Sequence, residues 1–434
     1  PNDVIGHVSA LVRELNKSST SKYKAMIARA STEDNRARDN LMYHGAGTGR
    51  WSGKGIQFQN LTTGKIADME AAVEEVMDQN LSLVIAEHDD PMTLFSGLVR
   101  GAIKAPEGKE LSVADFSSIE ARGIMWASGE QRGLKIFEAG EDIYCDMATD
   151  IYNKPVIANP ERQPKERKLG KQAILGCGYQ MGASKFLVTC EKYRINFTPE
   201  MIDGILSPHK QEEIEDNIRS NPIFYFPDGE VVEERVKPLI LSKHIVNSYR
   251  TSYPAIPEFW KNLEEAAIEA VMNHQEGSDS RWVRAGPKME YGNHYYRVIG
   301  KFLFCRLPSK RFLAYPFPRA VWKPTKWGSE KLTLTYKGVD SFTKKWTTQM
   351  SYGGKLAENN VQGFCRDITA EAMLRLEEHP IYMPILSVHD EILNENDEGE
   401  AFTEELEWIM SQRPDWCPNF PIDAEGWIGK RYRK

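Results

Sequence analysis

Two short apolar runs in this chain each end at an aspartate, and they restrict the folds open to it. The first is LSVAD at 111–115, and the second lies within ILSVHDEIL at 385–393. Both read as β-strands, which places Asp115 and Asp390 where a strand ends. If the two strands are neighbours in one sheet, the carboxylates meet, and a divalent cation relieves their repulsion. The alternative is that Asp115 and Asp390 are two unrelated loop acids. The spacing in the sequence, taken by itself, favours this alternative.

The composition is that of a folded chain with two to three domains, or of one large enzyme with inserted subdomains. The 434 residues are 41% hydrophobic and 27% charged, which permits sizeable cores and excludes disorder. No apolar stretch approaches the roughly 18 residues of a membrane helix, and no signal peptide is recognised. Because the chain begins at Pro1, we expect a fragment or a processed product. The six cysteines form no CxxC pair and are predicted to be structural thiols.

Charge is distributed unevenly along the chain. The formal net charge of −7 argues at face value against a nucleic-acid binder. Residues 281–355, however, contain 16 Lys and Arg against three acids, a net +13 that leaves −20 for the remainder. The same segment is rich in aromatic residues, including Trp282, Tyr295, Tyr296, Phe302, Phe304, Trp322, Trp327 and Trp346. Interleaved cations and rings are typical of a groove that follows phosphates. A solvated sheet with lysines on its outer face is the equally weighted alternative.

Periodicity and turn residues predict the order of elements. Helices are predicted within 1–44, 65–100, 142–152, 164–187, 241–275, 356–379 and 399–412. A further helix follows the strand at 111–115, with Ser117 or Ser118 as its cap. The helix that begins at Pro164 uses a good first-turn residue. Residues 45–60 read as a glycine-rich loop, 200–240 as a polar insertion forming a surface lobe, and 281–355 as strands and hairpins.

A stripe of four residues marks one predicted helix. Arg167, Lys171, Leu175 and Tyr179 recur every four residues in PKERKLGKQAILGCGYQMG, so they share one gently drifting face. Two cations suit a triphosphate, and an apolar residue followed by an aromatic ring suits a base and sugar. The alternative is an ordinary amphipathic helix without a binding role, and the stripe by itself favours this alternative.

The glycine-rich loop GAGTGRWSGKGIQFQN at 45–60 does not fit the known phosphate-binding motifs. Walker A needs four residues between its first Gly and Gly-Lys, and no pair of glycines here has that spacing. The GxGxxG pattern also fails, because Arg50 stands where its third glycine should fall. Arg50, Gln59 and Asn60 remain as polar groups suited to the edge of a groove.

Together these segments resemble the polymerase domain of family A DNA polymerases, the DNA polymerase I family, of phage type. DFSSIEAR at 115–122 resembles motif A, RKLGKQAILGCGYQMG at 167–182 resembles motif B, and VHDE at 388–391 resembles motif C. TGRWS with QNL at 59–61 resembles the primer-side motif, and KLAENNVQGFCRD at 355–367 resembles the phage-type helix ahead of motif C. Each motif is weak alone, but five in order are specific, and they cover nearly the whole chain.

The resemblance implies template-directed transfer of deoxynucleotides to a primer 3′ end. Asp115 and Asp390 would bind two Mg²⁺ ions, for which Mn²⁺ can substitute, and the carbonyl of Phe116 would add a metal ligand. Glu391 would be an auxiliary carboxylate beside the metals. Arg167 and Lys171 would hold the triphosphate, and Lys171 would also protonate the leaving pyrophosphate.

The same resemblance assigns roles around the base pair and the DNA. Tyr179 would stack at the nascent pair and hydrogen-bond Glu120, which would exclude a 2′-hydroxyl. His389 would touch the primer end. The DNA-binding residues implied by the family motifs are Arg50, Gln59, Asn60, Gln362, His389, Asn359 and Arg366, of which Arg50 and Gln362 would read minor-groove acceptors. Asn359 and Arg366 are implied as support residues.

Three positions depart from the family pattern. Leu175 stands where many relatives have Phe or Tyr, and it lacks the hydroxyl that lets a Tyr version accept a missing 3′-OH, so we expect discrimination against dideoxynucleotides. Tyr144 stands where cellular relatives have a phosphate-contacting His, which puts that contact in doubt. Gln180 follows Tyr179 where many relatives have Gly.

The implied fold is α+β, a right-hand polymerase with an antiparallel-sheet palm, mostly helical fingers and a partial helical thumb. The expected domains are a partial thumb at 1–45, palm at 46–128, fingers at 129–280 with the insertion 200–240, and palm with the basic segment at 281–434. The residues before Asp115 leave no room for a proofreading exonuclease in this chain. Expected partners are primer-template DNA and deoxynucleoside triphosphates, with no membrane. The expected setting is phage or viral DNA replication in the host cytoplasm, as a monomer or as part of a longer polypeptide or replisome.

Two other functions remain as alternatives. A single-subunit RNA polymerase is a distant relative with the same hand, but Glu120 argues against it because a bulky acid there should exclude ribose. A non-catalytic nucleic-acid-binding scaffold would need none of Asp115, Lys171 and Asp390, which are all present.

Overall fold

The computed structural model describes residues 21–62, 66, 68–78, 91–159, 163–277, 281–325, 328–340 and 343–433. The described helices are α1 (Ser21–Arg29), α2 (Met69–Met77), α3 (Pro91–Gly97), α4 (Ile119–Ser128), α5 (Gln131–Glu138), α6 (Ile143–Tyr152), α7 (Arg167–Cys177), α8 (Ala183–Lys192), α9 (Pro199–Ile205), α10 (Pro208–Ser220), α11 (Glu233–Ser252), α12 (Ala255–Gln275), α13 (Gly353–Glu378) and α14 (Thr403–Met410). The predicted helical stretches within 1–20 and 79–90, and Trp327, lie outside the described residues.

The described strands form four antiparallel sheets. They are β1 (Leu41–Met42), β2 (Ser52–Gly53), β3 (Lys109–Phe116), β4 (Val283–Arg284), β5 (Tyr295–Ile299), β6 (Phe302–Arg306), β7 (Phe312–Pro316), β8 (Arg319–Pro324), β9 (Glu330–Val339), β10 (Trp346–Ser351), β11 (Met383–Val388), β12 (Glu391–Asp397) and β13 (Ala424–Gly429). The sheet orders are β1-β2, β10-β9-β8, β11-β12-β3-β13 and β4-β5-β6-β7. This mixture of helices and antiparallel sheets confirms the expected α+β class. The proposed thumb, palm and fingers boundaries stay a prediction.

The chain divides into two compact units. The first contains the described residues up to Ser117, together with Arg366–Gln412 and the segment that starts at Ile422. Its centre is the sheet β11-β12-β3-β13, in which β3 is an inner strand and Leu111, Val113 and Phe116 are at most 2% exposed. Burial on both faces explains why LSVAD reads as a continuous apolar run rather than as an alternating one.

The second unit contains Ser118–Cys365 and Arg413–Pro421. It holds helices α4 to α12 and the two sheets built from β4 to β10, and α13 begins in it. The predicted change to strands over 281–355 is confirmed. The insertion 200–240 contains the whole of α10, whose Ile214 and Ile218 are buried, and its assignment as a surface lobe stays a prediction.

Several local predictions were wrong for identifiable reasons. Residues 34–44 are not helical, because Asn35, Asp39 and His44 all have positive φ and the Asp34 carboxylate accepts from the Arg36 amide at 3.1 Å. Such local side-chain bonds compete with helix formation. Ser118 does occupy the N-cap position of α4, but its φ is 53° and its side chain makes no capping bond.

The predicted helix 164–187 is two helices. Its first part starts at Arg167 rather than Pro164, and it ends at Cys177, before a turn that contains Gln180 with φ of 65°. A left-handed residue cannot continue a right-handed helix, so α8 starts afresh at Ala183.

All six cysteines are buried and unbridged, as predicted. No helix within the described ranges combines the length and the apolar character that crossing a bilayer requires.

Candidate active site

Asp115 lies near the end of β3, and Asp390 lies in the turn directly before β12, within the first unit. Strand β12 pairs with β3 so that Glu391 lies directly opposite Asp115. The backbone N–H of Phe116 donates to the Asp390 carbonyl at 3.3 Å, which ties the turn before β12 to the end of β3. Asp115 and Asp390 are both half-buried. The condition for their carboxylates to act together, that their strands be neighbours, is therefore met.

The carboxylates of Asp115 and Asp390 suit Mg²⁺ better than they suit a metal ion that needs a complete set of protein ligands. Among the residues that the structure describes, no cluster of three or more His, Cys, Asp or Glu could hold a metal ion by itself. Mg²⁺ typically uses one or two carboxylates and completes its shell with water and substrate phosphates. Two half-buried aspartates at adjacent strand ends match that donor set, so the implied metal is compatible with this geometry.

Glu391 differs from both aspartates in its surroundings. Its side chain is 2% exposed, and its Oε1 accepts a hydrogen bond from the Tyr432 hydroxyl. Arg100 donates to the same hydroxyl and, through its other nitrogens, to the carbonyls of Leu61 and Thr62 at 3.2 Å each. Burial, followed by the Glu391 charge, raises the pKa of Tyr432 well above its usual range, so the phenol stays a hydrogen-bond donor. Glu391 is thus anchored in the core.

His389 occupies the tight connection between β11 and β12. Val388 pairs with Glu391, which leaves His389 and Asp390 as a two-residue loop. His389 has φ of 60°, a conformation that non-glycine residues seldom adopt, and such strain concentrates at functional sites. Its exposed ring donates through Nε2 to the Gln59 carbonyl at 3.3 Å. The turn therefore brings the motif C residues against the primer-side segment.

The buried side chain of Arg366 supports the glycine-rich loop at 45–60 through two contacts. Its Nε donates to the Gly49 carbonyl at 2.9 Å, and its guanidinium lies 4.3 Å from the Trp51 ring centroid. The side chain is only 8% exposed, so its geometry favours support of the loop over direct contact with DNA. Arg50 is half-buried on this loop. Asn60 is exposed and donates to Gln57 at 3.2 Å.

In the second unit, helix α7 presents the predicted cations on one face. Arg167 Nε lies 2.6 Å from Asp142 Oδ2, while the Oδ1 of Asp142 caps α6 by accepting from the Tyr144 amide at 2.8 Å. The Tyr144 ring lies beneath both cations, 4.8 Å from the Arg167 guanidinium and 5.6 Å from Lys171 Nζ. Such cation–π contacts orient long side chains. The Tyr144 hydroxyl pairs with Ser118 Oγ at 2.7 Å.

Tyr179 lies beyond the end of α7, in the turn at 178–180, so the four-residue stripe does not lie on one helix as predicted. The hydrogen bond that the resemblance implies is nevertheless present: the Tyr179 hydroxyl donates to Glu120 Oε2 at 3.1 Å. Gln180 takes the left-handed conformation that explains the glycine of many relatives. Its Oε1 accepts from the Gly354 amide at 2.9 Å, which fastens the turn to α13.

The remaining predicted residues also lie in the second unit. Leu175 is on α7 and 46% exposed, on the face that carries Lys171. Gln362 and Asn359 are half-buried on α13, and Asn359 donates to the Tyr315 hydroxyl at 3.2 Å. The contact of Asn359 supports a neighbouring strand, which agrees with a structural role.

Sequence reasoning missed several residues that organise these sites. Asp142 could have been recognised as an N-cap, because an acid directly precedes the apolar start of a predicted helix. Tyr432 and Arg100 carry no sequence signal, since each acts through a contact with a distant segment.

Comparison with known proteins bears on both units. Residues 4–196 match the family described as DNA polymerase family A. A DNA polymerase of Bacillus phage SP02 is 31% identical over 434 residues, which is 100% of this chain and 58% of that polymerase. A thermostable DNA polymerase I of Thermus filiformis is 32% identical over 88 residues, which is 20% of this chain and 10% of that enzyme.

A solved structure gives a weaker likeness. The POL domain of Pol1 from M. smegmatis, in a complex with DNA primer-template and dNTP, covers 94% of this chain and 50% of its own at 15% identity, with a TM-score of 0.49. The alignment with the phage polymerase includes all of this chain but only 58% of that polymerase, so the chain spans little more than half the length of this relative. Residues 4–196 of this chain therefore match DNA polymerase family A, and the whole chain is similar to a phage DNA polymerase.

Proposed function

We propose that this chain is a template-directed DNA polymerase that extends a primer 3′ end by two-metal-ion nucleotidyl transfer, in phage DNA replication. The observation that carries the proposal is the pairing of β3 with β12, which sets Asp115 and Asp390 at adjacent strand ends. The family match over residues 4–196 and the similarity to the phage polymerase support the reaction class. Primer-template DNA and deoxynucleoside triphosphates are the proposed partners.

Asp115 and Asp390 are the proposed ligands of two Mg²⁺ ions, with the Phe116 carbonyl as a further oxygen donor. When bound, such ions favour deprotonation of the primer hydroxyl and neutralise charge on the phosphates. Glu391 has a different part in this proposal. Because Tyr432 holds its carboxylate in the core, it sets the negative potential beside the aspartates and keeps the position of the turn.

The residues of α7 are proposed to bind the triphosphate. Arg167 and Lys171 offer guanidinium and ammonium donors, and the Tyr144 ring limits the directions in which they extend. Lys171, which is exposed, is the proposed proton donor to pyrophosphate. The Tyr179 hydroxyl bonds the Glu120 carboxylate, and this carboxylate is the proposed group that excludes a 2′-hydroxyl and so favours deoxyribose.

The proposed DNA contacts follow the family motifs. Arg50 and Gln362 would read acceptors in the minor groove that every correct base pair presents. His389 would touch the primer end, with Gln59 and Asn60 beside it on the primer-side segment.

Primer extension with purified protein and Mg²⁺ tests the function. Wild type should extend a primer, and Asp115→Asn and Asp390→Asn should each abolish extension without changing the circular dichroism spectrum. Asp397→Asn is the matched control, because Asp397 lies at the far end of β12, where its carboxylate pairs with Lys109 Nζ at 2.8 Å. Full extension by Asp390→Asn would refute the assignment.

The RNA polymerase alternative is separated by the choice of substrate. Wild type should use deoxynucleotides in preference to ribonucleotides, and Glu120→Ala should reduce that preference. An absence of extension with either substrate, together with retained DNA binding, would favour the scaffold alternative.

A further inference from the structure

The three-stranded sheet β8-β9-β10 has one face that the active-site roles leave unused. Residues of one face alternate along a strand and lie opposite one another across strands. The register places Thr335 of β9 opposite both Arg319 of β8 and Met350 of β10. It also places Lys323 opposite Lys331, and Trp346 opposite Val339. Lys337 lies two residues from both Thr335 and Val339 on β9, so it faces the same way. The pairing along β9 has no register shift, so all of these positions share one face. We call it the cationic face, with Arg319, Lys323, Lys337, Val339, Trp346 and Met350 as its defining residues.

The two faces of this sheet differ in burial. On the opposite face, Leu334 is fully buried and Tyr336 meets the Tyr315 ring edge-on at 5.1 Å, so that face packs into the second unit. On the cationic face, Trp346 is 56% exposed, and Val339 and Met350 are exposed to a similar degree. A tryptophan left in solvent among cations is a feature that core packing does not explain.

The cations of this face are not consumed by ion pairs. Within the described ranges, Arg319, Lys323 and Lys337 have no acidic partner, and Lys337 Nζ instead donates to Thr348 Oγ1 at 2.8 Å. Only Lys331, at the end of the face, is engaged, with Glu264 Oε1 at 2.7 Å. The face therefore keeps an excess of positive charge in a chain whose net charge is −7.

We propose that the cationic face binds single-stranded DNA, with an unpaired base stacked on Trp346 and phosphates on Arg319, Lys323 and Lys337. An exposed ring beside a track of cations is the arrangement by which proteins hold single strands without reading sequence. Arg319 and Lys323, four residues apart on one strand, are separated by about 13 Å, which spans several phosphates. A duplex would offer phosphates but no free base for the ring. We take the bound single-stranded DNA to be the unpaired part of the template, and this identification rests on the proposed polymerase function.

Anisotropy of a labelled single-stranded oligonucleotide, titrated with the full chain, tests the proposal. Trp346→Ala should weaken binding about tenfold, the size expected for one lost stacking contact. Trp322→Ala is the matched control, because Trp322 is 65% exposed on the same sheet but lies opposite Leu332, on the other face. The triple variant R319A/K323A/K337A should lower the slope of log affinity against log salt by about 2, for three lost phosphate contacts.

The outcomes separate this inference from the polymerase function. Unchanged affinity and salt slope in both variants, an equal loss in Trp322→Ala, or an equal loss of duplex binding would overturn it. Single-nucleotide addition to a short primer-template at saturating DNA should remain at the wild-type level in all of these variants. If wild type fails to extend primers but Trp346→Ala still weakens single-strand binding, the polymerase function fails and the binding face stands.

Discussion

At the scale of single residues, the same chemical group has different uses at positions only one residue apart. Asp390 is half-buried in a strained two-residue turn, whereas Glu391, next in sequence, is 2% exposed and bonded to Tyr432. The motif alone makes Asp390 a metal ligand and Glu391 an auxiliary carboxylate beside the metals. The hydrogen bonds distinguish a carboxylate that solvent and ligands can reach from one that the core holds in place.

Replacing Tyr432 with Phe should test that distinction. The change removes the hydroxyl that Arg100 and Glu391 share, and leaves a buried carboxylate with one bond fewer. We expect a loss of about 1–3 kcal/mol in the free energy of unfolding, measured with urea. Tyr382→Phe is the control, because the Tyr382 hydroxyl bonds Glu405, whose side chain is 38% exposed and can bond water instead. Equal losses in the two variants would show that the buried network has no special weight.

Replacing Leu175 with Tyr should change the choice of terminator. Leu175 is 46% exposed on the α7 face that carries Lys171, and it has no hydroxyl to replace a missing 3′-OH. Wild type should discriminate against dideoxynucleotides, and the tyrosine variant should use them about tenfold better, the value of one hydrogen bond. Leu175→Phe adds a similar ring without the hydroxyl and should not match this gain. Competition between the two triphosphates in primer extension measures the effect.

At the scale of elements, the sequence predicted strands and helices where a local pattern governs them. The apolar run that becomes β3 and the basic, aromatic stretch that becomes β4 to β10 were both recognised. Helix ends were not, because glycine, positive φ and side-chain bonds decide them individually. Gln180 is an example, since nothing in its type indicates a left-handed residue.

The end of β12 beyond residue 393 and the whole of β13 show why part of the sheet escaped prediction. The sequence of β12, EILNEND, is polar, yet Asn394 and Asn396 are at most 2% exposed because partners from β3 accept their amide hydrogens. β13, AEGWIG, has no alternation at all. It is a strand because β3 offers an edge for it to pair with, and no local pattern encodes that edge.

Gly170 governs the approach of α7 to α6. A Cβ at this position would lie 2.0 Å from the Tyr144 carbonyl oxygen, so Gly170→Ala must push the helices apart. We expect a loss of about 1–3 kcal/mol in unfolding free energy and a higher KM for the incoming nucleotide, since α7 carries Arg167 and Lys171. Gly176→Ala on the same helix is the control. Its nearest neighbour is 3.4 Å away, and the helix propensity of alanine should offset any cost. A normal KM in Gly170→Ala would contradict the role of this contact.

His294, just before β5, should make stability depend on pH. The ring is 1% exposed and lies 5.5 Å from the Phe259 ring. Burial lowers its pKa to about 4. The unfolded chain binds a proton from about pH 6.5 downward while the folded one does not, so stability falls as the pH drops from 6.5 to 4.

The expected contribution of this residue is about 3 kcal/mol across that range. Urea unfolding of His294→Phe at several pH values should show a weaker acid dependence than wild type. His209→Gln, on the exposed surface of α10, should follow wild type. Parallel curves for wild type and His294→Phe would show that the ring binds a proton as readily in the folded state as in the unfolded one.

At the scale of the whole molecule, averages conceal the features that matter for function. The net charge of −7 pointed away from nucleic acid, but 281–355 carries +13 and includes the cationic face. The chain order is equally uninformative, since the first unit combines three separate segments and pairs β3 with strands nearly 300 residues away. Such pairings follow from the tertiary fold and not from neighbouring residues.

Removal of divalent metal should separate folding from activity across the molecule. Within the described part of the chain, no three or more His, Cys, Asp or Glu side chains form a cluster that could hold a metal ion. We expect EDTA to abolish primer extension while the thermal unfolding midpoint stays unchanged, and Mg²⁺ or Mn²⁺ to restore extension. Ions held by only two aspartates and the substrate contribute little to folding in the absence of nucleotide. A clear fall of the midpoint in EDTA would instead mean that a metal site stabilises the folded state.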